Sequence, residues 1–284
     1  MKNVLVTGGK GQLATCINDL TKKKTGYNFI FVDSDNLDIT KKEDVILFFN
    51  KHKISYCINC AAYTAVDKAE LESETARKVN ENGAKFLAES CENNNAIFIQ
   101  ISTDFVFDGK QSKAYTEADP TKPISIYGES KLNGEIQAIK FVNQHFIIRT
   151  SWLYSEHGNN FLKTMLRLGN DKDRISIVAD QIGTPTYAGD LAEVILKIIF
   201  EENTNFGLYH FSNEGVASWY DFAKAIFDET QNKIKIIPIK TTEYPTPAKR
   251  PEFSVMDKSK IKENLNIEIP YWRDSLKKCL KIIK

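Results

Sequence analysis

The sequence predicts an α/β protein built on a doubly wound parallel sheet, with a smaller α/β lobe in its second half. Two observations lead to this prediction. Up to about residue 150, short apolar runs alternate with longer stretches of helical periodicity, and a glycine-rich turn follows the first run. Strands that are separated by helical crossovers pair in parallel and carry helices on both faces of their sheet. After Arg149 the alternation becomes less regular.

The predicted elements follow in chain order. Strands are expected at 3–7, 27–32, 56–60, 96–102 and 146–149, and helices at 12–23, 41–52 and 76–93, with a further helix around 127–131. In the second half we expect helices at 161–168, 191–200 and 219–227, strands at 208–211 and 234–239, and a proline-rich loop at 244–251. The first domain would cover 1–150, with a return segment near 180–212, and the lobe would cover most of 151–284.

Charge and apolar runs limit the partners of the chain. Its 284 residues carry a formal net charge of +1, which points neither to nucleic acid nor to an anionic membrane. No stretch reaches the roughly 18 consecutive apolar residues of a membrane span, and the amino-terminal apolar run is too short for a signal peptide. We therefore expect a cytoplasmic protein with no nucleic-acid or membrane partner.

The cysteines and histidines do not predict a metal site. Cys57 and Cys60 have the spacing of a metal knuckle, but they lie in an apparent strand, where positions three apart face opposite sides. No second cysteine pair has that spacing, and the four histidines are scattered along the sequence. Buried structural thiols are the expected state, and we predict no metal.

The turn after the first strand has the pattern of a dinucleotide site. It begins with Gly8, has Gly11 three residues later and places the small Ala14 in the third position. The first glycine permits a tight turn, and the second lets a pyrophosphate approach the backbone at the helix N-terminus. A plain strand-to-helix turn is the alternative, and the context of strand, turn and helix favours binding. The turn predicts a Rossmann-like domain.

An acidic residue ends the second predicted strand. Asp33 lies where a carboxylate meets the adenosine ribose hydroxyls, and it would repel a 2′-phosphate, which favours NAD(H) over NADP(H). Lys41 and Lys42 lie nearby and weaken that argument. Asp38 and Ile39 follow and are expected to close over the adenine.

Tyr127 and Lys131 lie four residues apart on a predicted helix and therefore share one face. A cation close to a phenol favours its ionised form, which would bring the pKa of the phenol toward neutrality. Such a phenol can exchange a proton with a substrate. The spacing also occurs on ordinary solvated helix faces, so the pair needs partners elsewhere in the chain.

Those partners carry a family resemblance. The glycine turn, Ser102 and Thr103 at a strand end, and the Tyr127–Lys131 pair resemble the extended short-chain dehydrogenase/reductase family. Further stretches are similar to the dTDP-4-dehydrorhamnose reductase family within it, and they span nearly the whole chain: 11–13, 59–70, 102–109, 127–131, 149–152, 183–186 and 250–257. This resemblance implies reduction of the C4 keto group of dTDP-4-dehydro-L-rhamnose to dTDP-L-rhamnose, with NADP(H) or NAD(H) as cofactor.

The resemblance also implies a role for each matching residue. Tyr127 would donate a proton to the C4 oxygen, Lys131 would lower its pKa and bind the nicotinamide ribose, and Thr103 would orient the carbonyl. The expected cofactor-binding residues are Gly8, Lys10, Gly11, Gln12, Leu13, Asp33, Asp38, Ile39, Ala61, Ala62, Tyr63, Thr64, Asn80, Tyr127 and Lys131. The expected substrate-binding residues are Thr103, Asp104, Tyr127, Trp152 and Arg250.

Departures from the family pattern bear on two of these expectations. Related dehydratases place a glutamate after the residue that matches Asp104, and this chain has Phe105, which disfavours elimination chemistry. Ala14, Phe105 and Met256 are conservative departures from the reductase pattern. Some bacterial relatives form a magnesium-bridged dimer through acidic residues, but Thr15 stands near the first of those positions, so the metal is not carried over.

Several alternatives stay open at this point. The chain could be another nucleotide-sugar ketoreductase or epimerase, or a non-catalytic NADP-binding regulatory subunit. Intact Thr103, Tyr127 and Lys131 argue against the regulatory subunit. Trp152 could be a core aromatic residue with no contact to substrate, and Arg250 could be an exposed loop arginine with no binding role. The sequence allows a homodimer and leaves the choice between NADH and NADPH undecided.

Overall fold

The structure, a computed structural model, describes residues 1–22 and 25–283. The strands are β1 (Lys2–Thr7), β2 (Tyr27–Val32), β3 (Ile54–Asn59), β4 (Ile97–Thr103), β5 (His145–Thr150), β6 (Leu153–Tyr154), β7 (Arg174–Val178), β8 (Ile182–Gly183), β9 (Thr186–Tyr187), β10 (Gly207–His210), β11 (Ala217–Ser218) and β12 (Lys235–Ile239). The helices are α1 (Gln12–Thr21), α2 (Lys42–His52), α3 (Val66–Ala69), α4 (Ser73–Arg77), α5 (Ala84–Asn93), α6 (Ile126–Phe141), α7 (Phe161–Asp171), α8 (Ala188–Phe200), α9 (Trp219–Glu229), α10 (Ser259–Leu265) and α11 (Trp272–Ile283). A π-helical segment, Lys78–Gly83, joins α4 to α5.

The main sheet has the strand order β10-β5-β4-β3-β1-β2, and all of its strand pairs are parallel. Its side chains alternate between two apolar cores. Val4 and Val6 of β1 face the core formed with α1 and α8, whereas Leu5 faces the core formed with α2, α5 and α6. Because both faces are covered by helices, the predicted doubly wound α/β fold is confirmed.

The second half of the chain builds a third apolar core. Helices α7, α9 and α11 surround it, and Phe222, Trp272 and Leu276 are fully or almost fully buried there. Strands β7 and β12 pair in parallel beside it. Between these elements, α8 packs on α1 and β10 pairs with β5 of the main sheet. The division into domains at residue 150 stays a prediction.

The structure corrects the predicted elements at several places. The helix predicted at 76–93 is α4, the π-helical segment and α5, and Asn80 in the π-helical segment makes close contacts that are described below. Strand β7 and helices α10 and α11 were not predicted, although α11 buries Trp272, Leu276 and Cys279 at helical spacing and so carried a usable signal. The predicted end of the first helix at Lys23 lies outside the described residues.

Among the described residues, no helix is both long and apolar enough to span a membrane.

Candidate active site

A cleft with a volume of about 850 Å³ lies at the carboxyl ends of the parallel strands. Open parallel sheets bind ligands at this edge. Most of the residues singled out from sequence line it: Gly8, Lys10, Gly11, Gln12, Leu13, Asp33, Asp38, Ile39, Ala61, Ala62, Thr64, Thr103, Asp104, Tyr127, Lys131, Trp152 and Arg250. Two others, Tyr63 and Asn80, lie behind the lining.

The glycine turn between β1 and α1 fits a pyrophosphate group. Gly8 has φ +64°, and a Cβ on it would lie 2.8 Å from the amide nitrogen of Ala61, so only glycine fits. The amide of Gly11 donates to the carbonyl of Gly8 at 2.8 Å, which closes the turn. Gly11 precedes α1 and makes no side-chain cap. The first amides of α1 therefore remain available to an anion at the cleft.

An ion pair lies at the end of the cleft where β2 ends. Lys10 Nζ lies 2.6 Å from Asp33 Oδ2 and 3.2 Å from Asp35 Oδ2. The Lys10 ammonium lowers the pKa of Asp33, and Asp33 in turn raises the pKa of Lys10. Nearby, Asp38 Oδ1 accepts from the amide and hydroxyl of Thr40, and Ile39 is buried. The position of the predicted ribose carboxylate is therefore shared with a cation.

Backbone hydrogen bonds fix the segment after β3. The Ala61 amide donates to Thr7 Oγ1 at 3.2 Å. Asn80 is 2 % exposed; its Oδ1 accepts from the Tyr63 amide at 2.8 Å, and its Nδ2 donates to the Tyr63 carbonyl at 3.1 Å. The Tyr63 phenol points elsewhere and donates to Glu72 Oε2 at 2.6 Å. Asn80 thus shapes the cleft through the backbone of Tyr63.

Tyr127 and Lys131 lie beside Thr103 at the inner end of the cleft. Burial raises the pKa of Tyr127 to about 12, and the Thr103 hydroxyl partly offsets this shift. Burial lowers the pKa of Lys131 to about 8. Lys131 Nζ donates to the Ile101 carbonyl at 2.6 Å. The pKa of Tyr127 is thus raised, not lowered as expected, and its causes are burial, the Thr103 hydroxyl and the Asp104 carboxyl, with no contribution from Lys131.

Asp104 is a buried carboxyl group at the same end. It is 2 % exposed, and its Oδ1 accepts from Thr103 Oγ1 at 3.1 Å. Its Oδ2 makes no hydrogen bond of good geometry among the described residues, although the Ser254 hydroxyl lies close enough to lower the pKa of this carboxyl. Burial raises the pKa of Asp104 to about 6. A buried oxygen without a partner at a cleft is suited to accept a hydrogen bond from a ligand hydroxyl.

Two stacked indoles form one wall of the cleft. The rings of Trp152 and Trp219 lie 3.7 Å apart, with 8° between their planes. Trp152 has φ +46°, an unusual backbone conformation for a bulky residue. A Cβ on Gly183 would lie 2.7 Å from the Trp152 ring, so this glycine makes room for the indole. Sequence reasoning missed Trp219, although an aromatic residue at the start of a helix was a usable signal.

Arg250 reaches the cleft from the proline-rich loop. Its guanidinium makes two hydrogen bonds to Asp67, from Nη1 to Oδ1 at 3.1 Å and from Nη2 to Oδ2 at 2.8 Å. The same Nη1 donates to the Ala248 carbonyl at 3.0 Å. Arg250 also lowers the pKa of Asp67. The loop is therefore attached to the segment that follows β3.

A buried polar network supports this end of the sheet and was also missed. Arg149 donates from Nε and Nη2 to the two oxygens of Glu135, at 2.9 and 2.7 Å. Ser102 Oγ donates to Glu135 Oε1. His210 lies beside Arg149, and burial lowers the pKa of His210 to about 3. Glu135 also favours the charged form of Lys131, so the network acts on the cleft.

The fold and the site together define a class. The chain has a doubly wound parallel sheet, with a glycine turn beside Thr103, Tyr127 and Lys131. This arrangement defines an NAD(P)-dependent oxidoreductase of the extended short-chain dehydrogenase/reductase type. A family model described as the RmlD substrate binding domain matches residues 1–284. The chain belongs to this RmlD family.

Comparisons with known proteins agree with this assignment. The chain is 43% identical to dTDP-4-dehydrorhamnose reductase from Aggregatibacter actinomycetemcomitans, over 98% of each chain. A crystal structure of a dTDP-4-dehydrorhamnose reductase from Clostridium acetobutylicum has 42% identity and a TM-score of 0.96, over 99% of each chain. The enzyme from Bacillus anthracis, solved in complex with NADP, has 39% identity and a TM-score of 0.95, over 99% of this chain and 100% of its own.

Proposed function

We propose that the protein reduces the C4 keto group of dTDP-4-dehydro-L-rhamnose to give dTDP-L-rhamnose, with NADPH or NADH as the reductant. The observation that carries this proposal is the position of the buried Tyr127 phenol beside the Thr103 hydroxyl, in a cleft that also contains the glycine turn. The proposal is supported by the full-length similarity to dTDP-4-dehydrorhamnose reductases. A bound nicotinamide cofactor would supply the hydride to C4.

Tyr127 is proposed as the general acid. With a pKa of about 12 its phenol stays protonated at neutral pH, and an alkoxide that forms at C4 is basic enough to take that proton. Phe105 packs edge-on against the Tyr127 ring, with 5.5 Å between the ring centroids. Thr103 would donate to the same carbonyl oxygen and hold it in line with the phenol.

Lys131 is proposed to bind the nicotinamide ribose. Its bond to the Ile101 carbonyl fixes one of three ammonium protons and leaves two for ribose hydroxyls. Gly8 and Gly11 would hold the pyrophosphate, with Lys10, Gln12 and Leu13 around the turn. Asp33, Asp38 and Ile39 would hold the adenosine. Ala61, Ala62 and Thr64 would line the cofactor phosphates and ribose, where Asn80 fixes the backbone of Tyr63.

The sugar and its nucleotide are assigned to the other side of the cleft. Asp104 Oδ2 would accept from a sugar hydroxyl, which would give that buried oxygen a partner. The indole wall of Trp152 and Trp219 would lie against the apolar face of the deoxysugar. Arg250 would meet the diphosphate, for which a guanidinium is a geometric match. A homodimer and a cytoplasmic location remain predictions of this proposal.

The test is a Tyr127→Phe variant, assayed by oxidation of NADPH in the presence of the 4-keto sugar nucleotide. Loss of the acidic hydroxyl is expected to lower kcat by about 10²-fold or more, and to weaken cofactor binding by a much smaller factor. Tyr271→Phe is the matched control, because this phenol is exposed and outside the cleft lining. Turnover of Tyr127→Phe at the level of Tyr271→Phe would contradict the assigned acid.

A substrate panel separates the proposed reaction from the alternatives. Turnover of dTDP-linked 4-keto-6-deoxy sugars well above that of UDP-linked sugars is expected. Equal or better turnover of UDP sugars would favour another ketoreductase or epimerase. Tight NADPH binding without oxidation by any 4-keto sugar would favour a regulatory subunit.

A further inference from the structure

A cluster of metal-ligating side chains lies outside the cleft lining, where α1, the loop before α7 and α11 meet. One ligand atom each from Cys16, Glu156 and His157 lies within 4.8 Å of the other two. Cys279 of α11 lies beside this group of three and could supply a fourth donor, because its Sγ lies 3.6 Å from Glu156 Oε2. We propose that these four side chains bind one zinc ion.

The donor set selects the metal. Thiolate, imidazole and carboxylate together are typical ligands of zinc, whereas magnesium and calcium take oxygen ligands almost exclusively. Bond lengths of roughly 2.0–2.3 Å in a tetrahedral site place the ligand atoms about 3.3–3.8 Å apart. The separations of up to 4.8 Å among the Cys16, Glu156 and His157 atoms therefore have to shrink by about 1 Å. Cys279 Sγ is already 3.6 Å from Glu156 Oε2 and has to approach the other two atoms.

The surroundings are arranged around the proposed ligands. His157 Nε2 lies 2.8 Å from Asp19 Oδ2 and 3.7 Å from Glu156 Oε1, so Asp19 holds this nitrogen and Nδ1 is the one that would bind the metal. The Tyr187 phenol donates to Glu156 Oε1 at 3.2 Å and orients that carboxylate. Both cysteines are buried, while the His157 side chain is 28% exposed and offers an entry path.

The ion would join three parts of the chain that are distant in sequence. Cys16 belongs to α1, Glu156 and His157 to the loop before α7, and Cys279 to α11. The loop is otherwise attached to α1 through Gln12 Oε1, which accepts from Ser155 and from Asn160, both at 3.3 Å. Because an unfolded chain would not assemble these ligands, zinc is expected to raise the thermal midpoint of unfolding.

The first test measures metal stoichiometry in the full-length, reduced protein. After equilibration with Zn²⁺ and dialysis against metal-free buffer, mass spectrometry is expected to find one zinc per chain. His157→Gln is expected to bind zinc at least about 10-fold more weakly. His52→Gln is the matched control, because His52 stacks on Phe48 far from the cluster in sequence. Zinc content that is negligible in the wild type, or unchanged in His157→Gln, would overturn the proposal.

The second test identifies the ligands with Co²⁺ as the probe. Thiolate ligation is expected to give a sulfur-to-cobalt charge-transfer band, which weakens in Cys16→Ser and in Cys279→Ser. Since both cysteines are buried, circular dichroism must confirm that these variants fold. If either variant does not fold, the test uses Glu156→Gln and His157→Gln, which are expected to bind Co²⁺ more weakly than the wild type. The site would be refuted if the wild-type protein bound Co²⁺ without a thiolate band. It would also be refuted if Glu156→Gln and His157→Gln bound Co²⁺ with the affinity of the wild type.

Discussion

At the scale of single residues, burial sets the charge of the groups that face the cleft. The sequence predicts the spacing of Tyr127 and Lys131, because that spacing is a local property of a helix. It could not predict their pKa values, which depend on neighbours brought in by folding. Desolvation raises the pKa of Tyr127 to about 12 and lowers that of Lys131 to about 8. The phenol therefore suits proton donation, and the ammonium is the group that titrates near neutrality.

A bell-shaped pH profile of kcat/KM follows from two of these groups. Lys131 is charged below a pKa of about 8, so activity is expected to fall above that pH. Asp104 is ionised above a pKa of about 6, so activity is expected to fall below that pH. In Asp104→Asn the acidic limb should disappear while the basic limb stays. Asp119→Asn, outside the cleft lining, should keep both limbs, and an acidic limb that persists in Asp104→Asn would contradict this assignment.

Lys10 is expected to decide between the two cofactors. Its ammonium lies 2.6 Å from Asp33 Oδ2, so a 2′-phosphate there meets a cation as well as a carboxylate. Lys10→Ala should raise the KM for NADPH about 10-fold and leave the KM for NADH within about 2-fold. Lys41→Ala is the control, because Lys41 pairs with Asp38 at the same edge. Equal effects of Lys10→Ala on both cofactors would exclude this role.

At the scale of elements, local patterns predicted the main sheet well and one helix poorly. Strand β2 was expected at 27–32 and lies at Tyr27–Val32. This prediction succeeded because its signals, a run of apolar residues and a following acidic turn, are local properties of the sequence. The helix predicted at 76–93 contains the π-helical segment instead. Asn80 there bonds the Tyr63 backbone and donates to Ser130 Oγ at 2.9 Å, contacts that join three separate segments. Helical periodicity carries no signal of such contacts.

Gly134 permits this contact between α6 and the π-helical segment. A Cβ at this position would collide with the backbone carbonyl oxygen of Asn80, which side-chain rotation cannot relieve. Gly134→Ala is therefore expected to lower the free energy of unfolding by about 1–3 kcal/mol, measured by urea denaturation. Lys140→Ala, exposed on the same helix, should change it by less than about 0.5 kcal/mol. Equal free energies of unfolding of the two variants would show that α6 and the π-helical segment can move apart without loss of stability.

At the scale of the whole molecule, the cleft combines segments from both halves of the chain. The glycine turn and the strand ends come from the first half, and Trp219 and Arg250 come from the second. The sequence predicted Arg250 as a binding residue through a family resemblance, yet nothing in it indicated the pair with Asp67. Nor did it bring Cys16 near His157. Each of these contacts joins residues more than 100 positions apart, and only the folded chain defines them.

Arg250 provides the last prediction, which depends on this assembly. Its two bonds to Asp67 attach the proline-rich loop to the cleft, and the same guanidinium is proposed to meet the substrate diphosphate. Arg250→Ala should raise the KM for the sugar nucleotide about 10-fold or more, since a charge-assisted hydrogen bond contributes about 1.5–3 kcal/mol.

The affinity for NADPH, measured by fluorescence titration, should stay within about 2-fold in Arg250→Ala, because the glycine turn lies elsewhere in the cleft. Lys249→Ala, at the exposed neighbouring position, should leave both constants unchanged. If Arg250→Ala weakened the binding of NADPH as much as the binding of the sugar nucleotide, the role of Arg250 would be to hold the cleft together through Asp67. A selective change in the sugar-nucleotide KM requires direct contact with that ligand.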